Sequence, residues 1–171
     1  DEYVQWRSGP GTLQAARERT QSRPLPDGIS VETVDPQTPA RDMQKLDSLT
    51  QTCEVLLPAG RFMRGLERPA TCVMAKTASG DVVATAAAVA QRHPVHGTDQ
   101  SVWWGMLATA PAHRGQGIGL TLGAHALLAM ADKGYAAFFT GIRSGNTPSE
   151  TLCAKLGFAS SDHFDVIAID P

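Results

Sequence analysis

The sequence predicts an α/β domain: a mixed, mostly antiparallel sheet with helices on both faces. Three observations predict it. Two strand-like runs, Thr71–Thr77 and Asp81–Gln91, are joined by Ala78-Ser-Gly80, a hairpin signal. The apolar run Val102–Ala108 passes through a glycine-rich turn into the apolar, alanine-rich segment Leu120–Ala131. A second short apolar run, Tyr135–Ile142, follows that helix. A strand–helix–strand unit returns its second strand in the direction of the first, so one parallel pair joins the hairpin.

Taken in order, Thr12–Thr20 has the composition of a short polar helix, and Ser22-Arg-Pro-Leu-Pro-Asp-Gly28 breaks regular structure with two prolines and an Asp-Gly turn. The sequence starts at Asp1 without Met, and residues 1–28 are expected as an arm, or the tail of a preceding segment, pinned by Tyr3 and Trp6. The domain proper is expected over 29–171. Ile29–Val34 alternates apolar and polar residues as a strand does. Thr38-Pro39 supplies an N-cap and a proline at the first helical position, and Met43, Leu46, Leu49 and Cys53 follow at helical spacing. A second helix is expected over Ala59–Leu66, with Arg61 and Arg64 on one face. Solvated surface arginines are the simpler account of that pair; an anionic acceptor handle is the other.

The alanine-rich run within Asp81–Gln91 has helical propensity, but the hairpin signal before it argues for a strand. In the loop Gln91–Asp99, His93 and His96 lie three apart near Asp99. That spacing resembles a metal site, yet a proline- and glycine-containing loop is more simply a surface turn, and no metal is expected. Trp103 and Trp104 must point to opposite faces of their strand, one of them into the core. Thr147-Pro-Ser-Glu150 is a capping box that starts a helix, Leu152 and Leu156 bury one face of it, and Gly157 closes it. Phe164–Ile169 is expected as the terminal strand.

Length and composition bound the function. A chain of 171 residues suits one core, and 42% apolar with 19% charged content suits a globular protein. A net charge of −2 gives no electrostatic reason to expect nucleic acid as a partner. No apolar run is long enough to span a bilayer, so no membrane partner is expected. Cys53, Cys72 and Cys153 are an odd number without metal-ligand spacing, which favours reduced thiols and a cytoplasmic location. A homodimer is allowed for.

Between strand and helix, Gly115, Gly117 and Gly119 leave the main chain free to approach a ligand. The helix that begins there offers unpaired N–H groups and a positive dipole end, which suit a phosphate or pyrophosphate. A plain tight turn accounts for the glycines equally well. Gly117-x-Gly119-x-x-x-Gly123 distantly matches a dinucleotide fingerprint, with Arg143 placed for a 2′-phosphate. Such a site normally opens a series of βαβ units, whereas this one comes late and follows a hairpin.

Arg114-Gly-Gln-Gly117-Ile-Gly119 matches the (Gln/Arg)-x-x-Gly-x-(Gly/Ala) signature of the GNAT acyltransferase superfamily, and Asn146-Thr-Pro-Ser149-Glu-Thr-Leu-Cys153-Ala-Lys-Leu156-Gly-Phe158 resembles that family's second motif. The resemblance runs from Val102 to Phe158. It implies a GNAT-like sheet whose central parallel pair splays apart, opening a cleft for the pantetheine arm of acetyl-CoA, the co-substrate. It implies cofactor contacts at Leu107, Ala108, Thr109, Arg114, Gly115, Gln116, Gly117, Ile118, Gly119, Asn146 and Ser149, with Leu107 and Thr109 presenting main-chain groups. The implied activity is that of an acyltransferase, moving an acetyl group to a primary amine of a small molecule or peptide. A non-catalytic acyl-CoA-binding module is the alternative.

Direct attack needs a positioned thioester, a route for the ammonium proton, and stabilisation of the oxyanion and departing sulfur. A main-chain N–H near Leu107 would serve the oxyanion. Trp103-Trp-Gly-Met106 contains no acid, which leaves Glu54, between the helices that should border the pocket, as the candidate base. Where the family often has a tyrosine to protonate the thiolate, this sequence has Cys153. At an ordinary thiol pKa of ~8.5 it would match the leaving group, so Cys153 is the candidate acid.

Overall fold

The hairpin and the strand–helix–strand unit form as expected, and the N-terminal segment joins them in the same sheet. A computed structural model describes residues 2–22, 25–55, 60–90 and 100–166. The chain runs β1 (Glu2–Ser8), α1 (Thr12–Ser22), β2 (Ile29–Thr33), α2 (Ala40–Thr52), α3 (Gly60–Met63), β3 (Ala70–Thr77), β4 (Val82–Val89), β5 (Val102–Thr109), a 3₁₀ turn at Pro111–His113, α4 (Ile118–Ala131), β6 (Phe138–Arg143), α5 (Thr147–Lys155) and β7 (Phe158–Val166).

The strand order is β2-β3-β4-β5-β6-β1-β7, antiparallel throughout except at β5–β6. This is the mixed α/β sheet with a central parallel pair that the sequence predicts. β5 and β6 pair only at Val102↔Phe138 and Trp103↔Phe139, and then separate. On its other side β5 shifts register against β4, with Met106 held at φ 55°. A residue in that region bends the strand away from its neighbour, which explains why the splay begins there.

The segment expected as an arm is part of the body. β1 lies between β6 and β7, pairing Val4 with Ile142 on one side and Phe164 on the other. The closing run is a single long strand starting at Phe158 rather than a short one at Phe164, and it pairs with β1. The turn between β1 and α1 is clasped to the end of α5. Gly9 N–H donates to Gly157 O at 3.0 Å and the buried Thr12 Oγ1 donates to the same oxygen at 3.2 Å. α1 lies on α4, with Ala16 fully buried in the main core.

Two helix starts differ from expectation. Thr38 does not cap α2, because its hydroxyl accepts from Asp35 N–H at 2.9 Å; Pro39 is the N-cap. The capping residue of α5 is Asn146, one before the expected Thr147. The helix expected over Ala59–Leu66 is a single turn, Gly60–Met63.

Two apolar clusters sandwich the sheet. Trp104, Leu122, Leu127, Met130, Phe138 and Phe158 fill the α1/α4 side, while Leu46, Leu49, Met63, Cys72, Met74 and Met106 fill the α2 side. Trp104 stacks on Phe158 with ring centroids 4.9 Å apart, and its indole Nε1 donates to Gly123 O at 3.0 Å. A Cβ at Gly123 would stand 2.7 Å from that ring, so this glycine serves helix–sheet packing. On the opposite side Lys76 on β3 joins the buried Asp42 of α2 and Glu32 of β2, each at 3.1 Å. Those two carboxylates hold the Lys76 ammonium above its ordinary pKa.

Candidate active site

Two cavities adjoin where β5 and β6 part. The larger, about 550 Å³, runs from Leu107 and Thr109 across the glycine turn to Asn146, Ser149 and Lys155 on α5. The other, about 300 Å³, lies in the cleft, between Gly105–Leu107 and Thr140–Arg143, and is bordered by Tyr3, Glu54 and Cys153. Cys53, Leu107, Asn146 and Ser149 line both.

The glycine turn forms the rim of the groove. Gly115 and Gly117 both sit at φ 75°, where a side chain would be strained. Gly117 is the N-cap of α4 without a side-chain capping bond, so the first helical N–H groups have no side-chain cap and lie at the positive end of the helix dipole. Ile118 and Ala108 border the groove although they are only 1% and 2% exposed, so each shows it very little surface.

Of the residues expected to hold the cofactor, Leu107, Ala108, Thr109, Arg114, Gly115, Gly117, Ile118, Gly119, Asn146 and Ser149 all line this groove. Gln116 does not; it is exposed on the turn. Thr109 differs in its role. Its carbonyl accepts from Arg114 Nε at 3.0 Å and from the Cys53 thiol at 3.5 Å, so that group is already partnered. Asn146 Oδ1 accepts from Ser149 N–H at 3.4 Å as the helix cap, leaving the amide nitrogen available as a donor.

Glu54 lies on the cleft, where sequence spacing puts it, and its backbone is unusual. α2 ends with Glu54 N–H donating to Gln51 O and Val55 N–H to Thr50 O, the paired bonds of a Schellman ending. The residue at its left-handed position is normally glycine, and here Glu54 holds it at φ 55°. Its carboxylate is exposed and has no side-chain partner among the described residues.

Cys153 reaches the cleft but belongs to the core, at 1% exposure. Burial pushes its thiol up to about 12. The matching of pKa values that recommended it as the acid is lost, because a carbon-lined setting disfavours the thiolate. Trp104 is the core tryptophan and Trp103 the half-buried one, lying over Gly105, as the alternation predicts. Arg61 pairs with Glu67 at 2.6 Å, and Arg64 donates to the carbonyls of Asp35, Pro36 and Thr38, so neither forms an acceptor handle. His93, His96 and Asp99 lie outside the described residues. No group of His, Cys, Asp and Glu among the described residues could hold a metal ion.

Sequence reasoning missed His113, Cys53 and Lys155, all of which line the groove. Lys155 had a signal: Pro148, Thr151, Leu152 and Lys155 share one helical face, and all four line it.

The family model for the Acetyltransferase (GNAT) family matches residues 27–158, more than half of the chain. The chain belongs to the GNAT acetyltransferase family. Solved structures show the same fold at low identity. A GCN5-related N-acetyltransferase from Kribbella flavida is 19% identical with a TM-score of 0.62, over 94% of this chain and 55% of that one. A tandem GNAT protein from the clavulanic acid biosynthesis pathway is 18% identical with a TM-score of 0.63, over 93% and 50%. AAC(6')-Iy, solved with the bisubstrate analog CoA-S-monomethyl-acetylneamine, is 18% identical with a TM-score of 0.64, over 84% and 97%. The chain thus spans about half the length of the first two proteins. No protein with a curated description matches it by sequence. Like those GNAT folds it has a sheet flanked by helices, and no helix among the described residues is long and apolar enough to cross a membrane.

Proposed function

We propose that this GNAT domain transfers an acetyl group from acetyl-CoA to a primary amine. The observation that carries the reading is the join between groove and cleft: a glycine-rich turn at a helix N-terminus at one end, a splayed strand in the middle, and a carboxylate at the other. The residues fit coenzyme A. The N-terminal turn of α4 at Gly117 suits its pyrophosphate, with Arg114 and Lys155 at the same groove. β5 beyond Trp103 has no β6 partner in the described pairing, so pantetheine amides can pair with it as an added strand would.

Acetyl-CoA brings the activated thioester. The protein's contribution is to position it, with Leu107 main chain beside the carbonyl as oxyanion donor. Glu54 takes the ammonium proton, directly or through water, from an amine arriving at the open end of the cleft. Cys153 borders the cleft, but burial makes its thiol a poor acid, so the leaving thiolate would take its proton from bulk solvent.

Calorimetric titration with acetyl-CoA, then thiol release with a panel of small amines and peptides, tests the proposal. Binding without release on any amine would favour the acyl-CoA-binding module, a reading supported by the buried thiol where the family has an acid. No binding of acetyl-CoA by the wild-type protein would overturn both.

A further inference from the structure

Gly117 O at the start of α4 is held by three donors. Two come from Thr121, its N–H at 3.1 Å and its hydroxyl at 3.2 Å. The third is Nη2 of Arg19, at 2.9 Å, while Nε of the same guanidinium donates to Thr121 Oγ1 at 3.0 Å. Arg19 therefore grips the first turn of α4 in a fork, with its side chain so close that a Cβ on Gly117 would lie 2.3 Å from Nη2. Arg19 stands on α1, outside residues 27–158 that the family model matches.

A trans peptide unit points its C=O and N–H in opposite directions. Holding Gly117 O within the first turn of α4 therefore directs the N–H of Ile118 towards the N-terminal end of the helix, which borders the groove. A guanidinium behind that peptide also adds a fixed positive charge at the end of the helix where the dipole already favours an anion. On the reading of the groove as a coenzyme A site, we infer that Arg19 is a positioning residue for the pyrophosphate. It acts through the Gly117–Ile118 peptide without touching the ligand's thioester end. The cofactor turn of this chain is then completed by a segment beyond its family core.

Titration of wild type, Arg19→Ala and Arg19→Lys with acetyl-CoA and with S-acetylpantetheine, which lacks the pyrophosphate, tests this. Calorimetry reads the first ligand and ligand-observed NMR the second. Loss of a charge-assisted bond predicts acetyl-CoA affinity roughly tenfold weaker or more in Arg19→Ala. Arg19→Lys, which keeps the charge but loses the fork, should fall between, and S-acetylpantetheine should bind all three alike. Hydrogen exchange supplies a second readout: acetyl-CoA should slow exchange in α1 of wild type, since coupling between two sites is reciprocal. Equal weakening for both ligands would make Arg19 a merely structural residue and overturn the inference, as would unchanged acetyl-CoA affinity in a folded Arg19→Ala or Arg19→Lys. Failure of wild type to bind acetyl-CoA is a different result: it removes the cofactor reading itself, and the inference with it.

Discussion

Glu54 sets stability against chemistry at a single residue. An L-residue in the left-handed region costs roughly 1–2 kcal/mol, and glycine avoids that cost. Glu54→Gly should therefore raise stability by about 1 kcal/mol, or a melting temperature by roughly 2–4 °C, while abolishing the carboxylate's contribution. Glu54→Gln keeps the backbone and should leave the melting temperature unchanged, yet slow turnover by about 10²-fold as expected for a lost general base. A Gln variant with the wild-type rate would remove Glu54 from the mechanism. Cys153 should behave in the opposite way. With its thiol raised to about 12, Cys153 would give a proton to a thiolate of ordinary pKa only uphill, so it is a poor acid and the thiolate can depart unprotonated and pick up its proton in bulk solvent. Cys153→Ala should cost about 1 kcal/mol of stability from lost packing and leave the pH–rate profile of single turnovers unchanged. Cys153→Tyr would have to fit a ring into a filled core, and is expected to destabilise rather than to improve the enzyme.

Helices α4 and α5 carry the cofactor groove, and both can be probed through features of their own. Asn146→Ala should lose the α5 cap, about 1 kcal/mol, along with affinity for acetyl-CoA. Asn146→Asp keeps an equally good cap but loses the amide donor; thermal melts should match wild type while the Michaelis constant for acetyl-CoA rises. If the constant is unchanged in Asp, Asn146 acts as a cap only. On α4, burial lowers the pKa of His125 below its ordinary 6.5. The unfolded chain then binds the proton more readily, so His125 stabilises fully above about pH 6.5 and less as pH falls below it. Replacing His125 by Gln should flatten that limb of a stability-versus-pH curve. These two helices were also the most legible part of the sequence. Gly115–Gly119, Asn146 and the Leu156-Gly-Phe158 ending are local signals, each set by turn or cap chemistry within a few residues. Arg19 carried no such signal, because its partners Gly117 and Thr121 are neighbours only in space. The pKa of Cys153 escaped for the same reason: helix position was visible, burial was not.

At the scale of the whole molecule, the insertion of β1 between β6 and β7 explains why residues 1–28 misled as an arm. Glu2–Ser8 has one buried side chain, Gln5, and its polar neighbours hide a strand that owes its place to ladders on both sides. Removing residues 1–9 should therefore abolish cooperative unfolding, read by circular dichroism melts, rather than trim a dispensable extension. A truncated chain that melts as wild type would contradict the topology. The same insertion dictates the timing of synthesis. β1 leaves the ribosome well before its two neighbours, Phe138–Arg143 and Phe158–Val166, are translated. At about 5–20 residues per second, β1 waits on the order of ten seconds with both edges open to other chains. Glu2, Gln5, Arg7 and Ser8 along β1 make such a waiting strand a poorer template for the wrong partner.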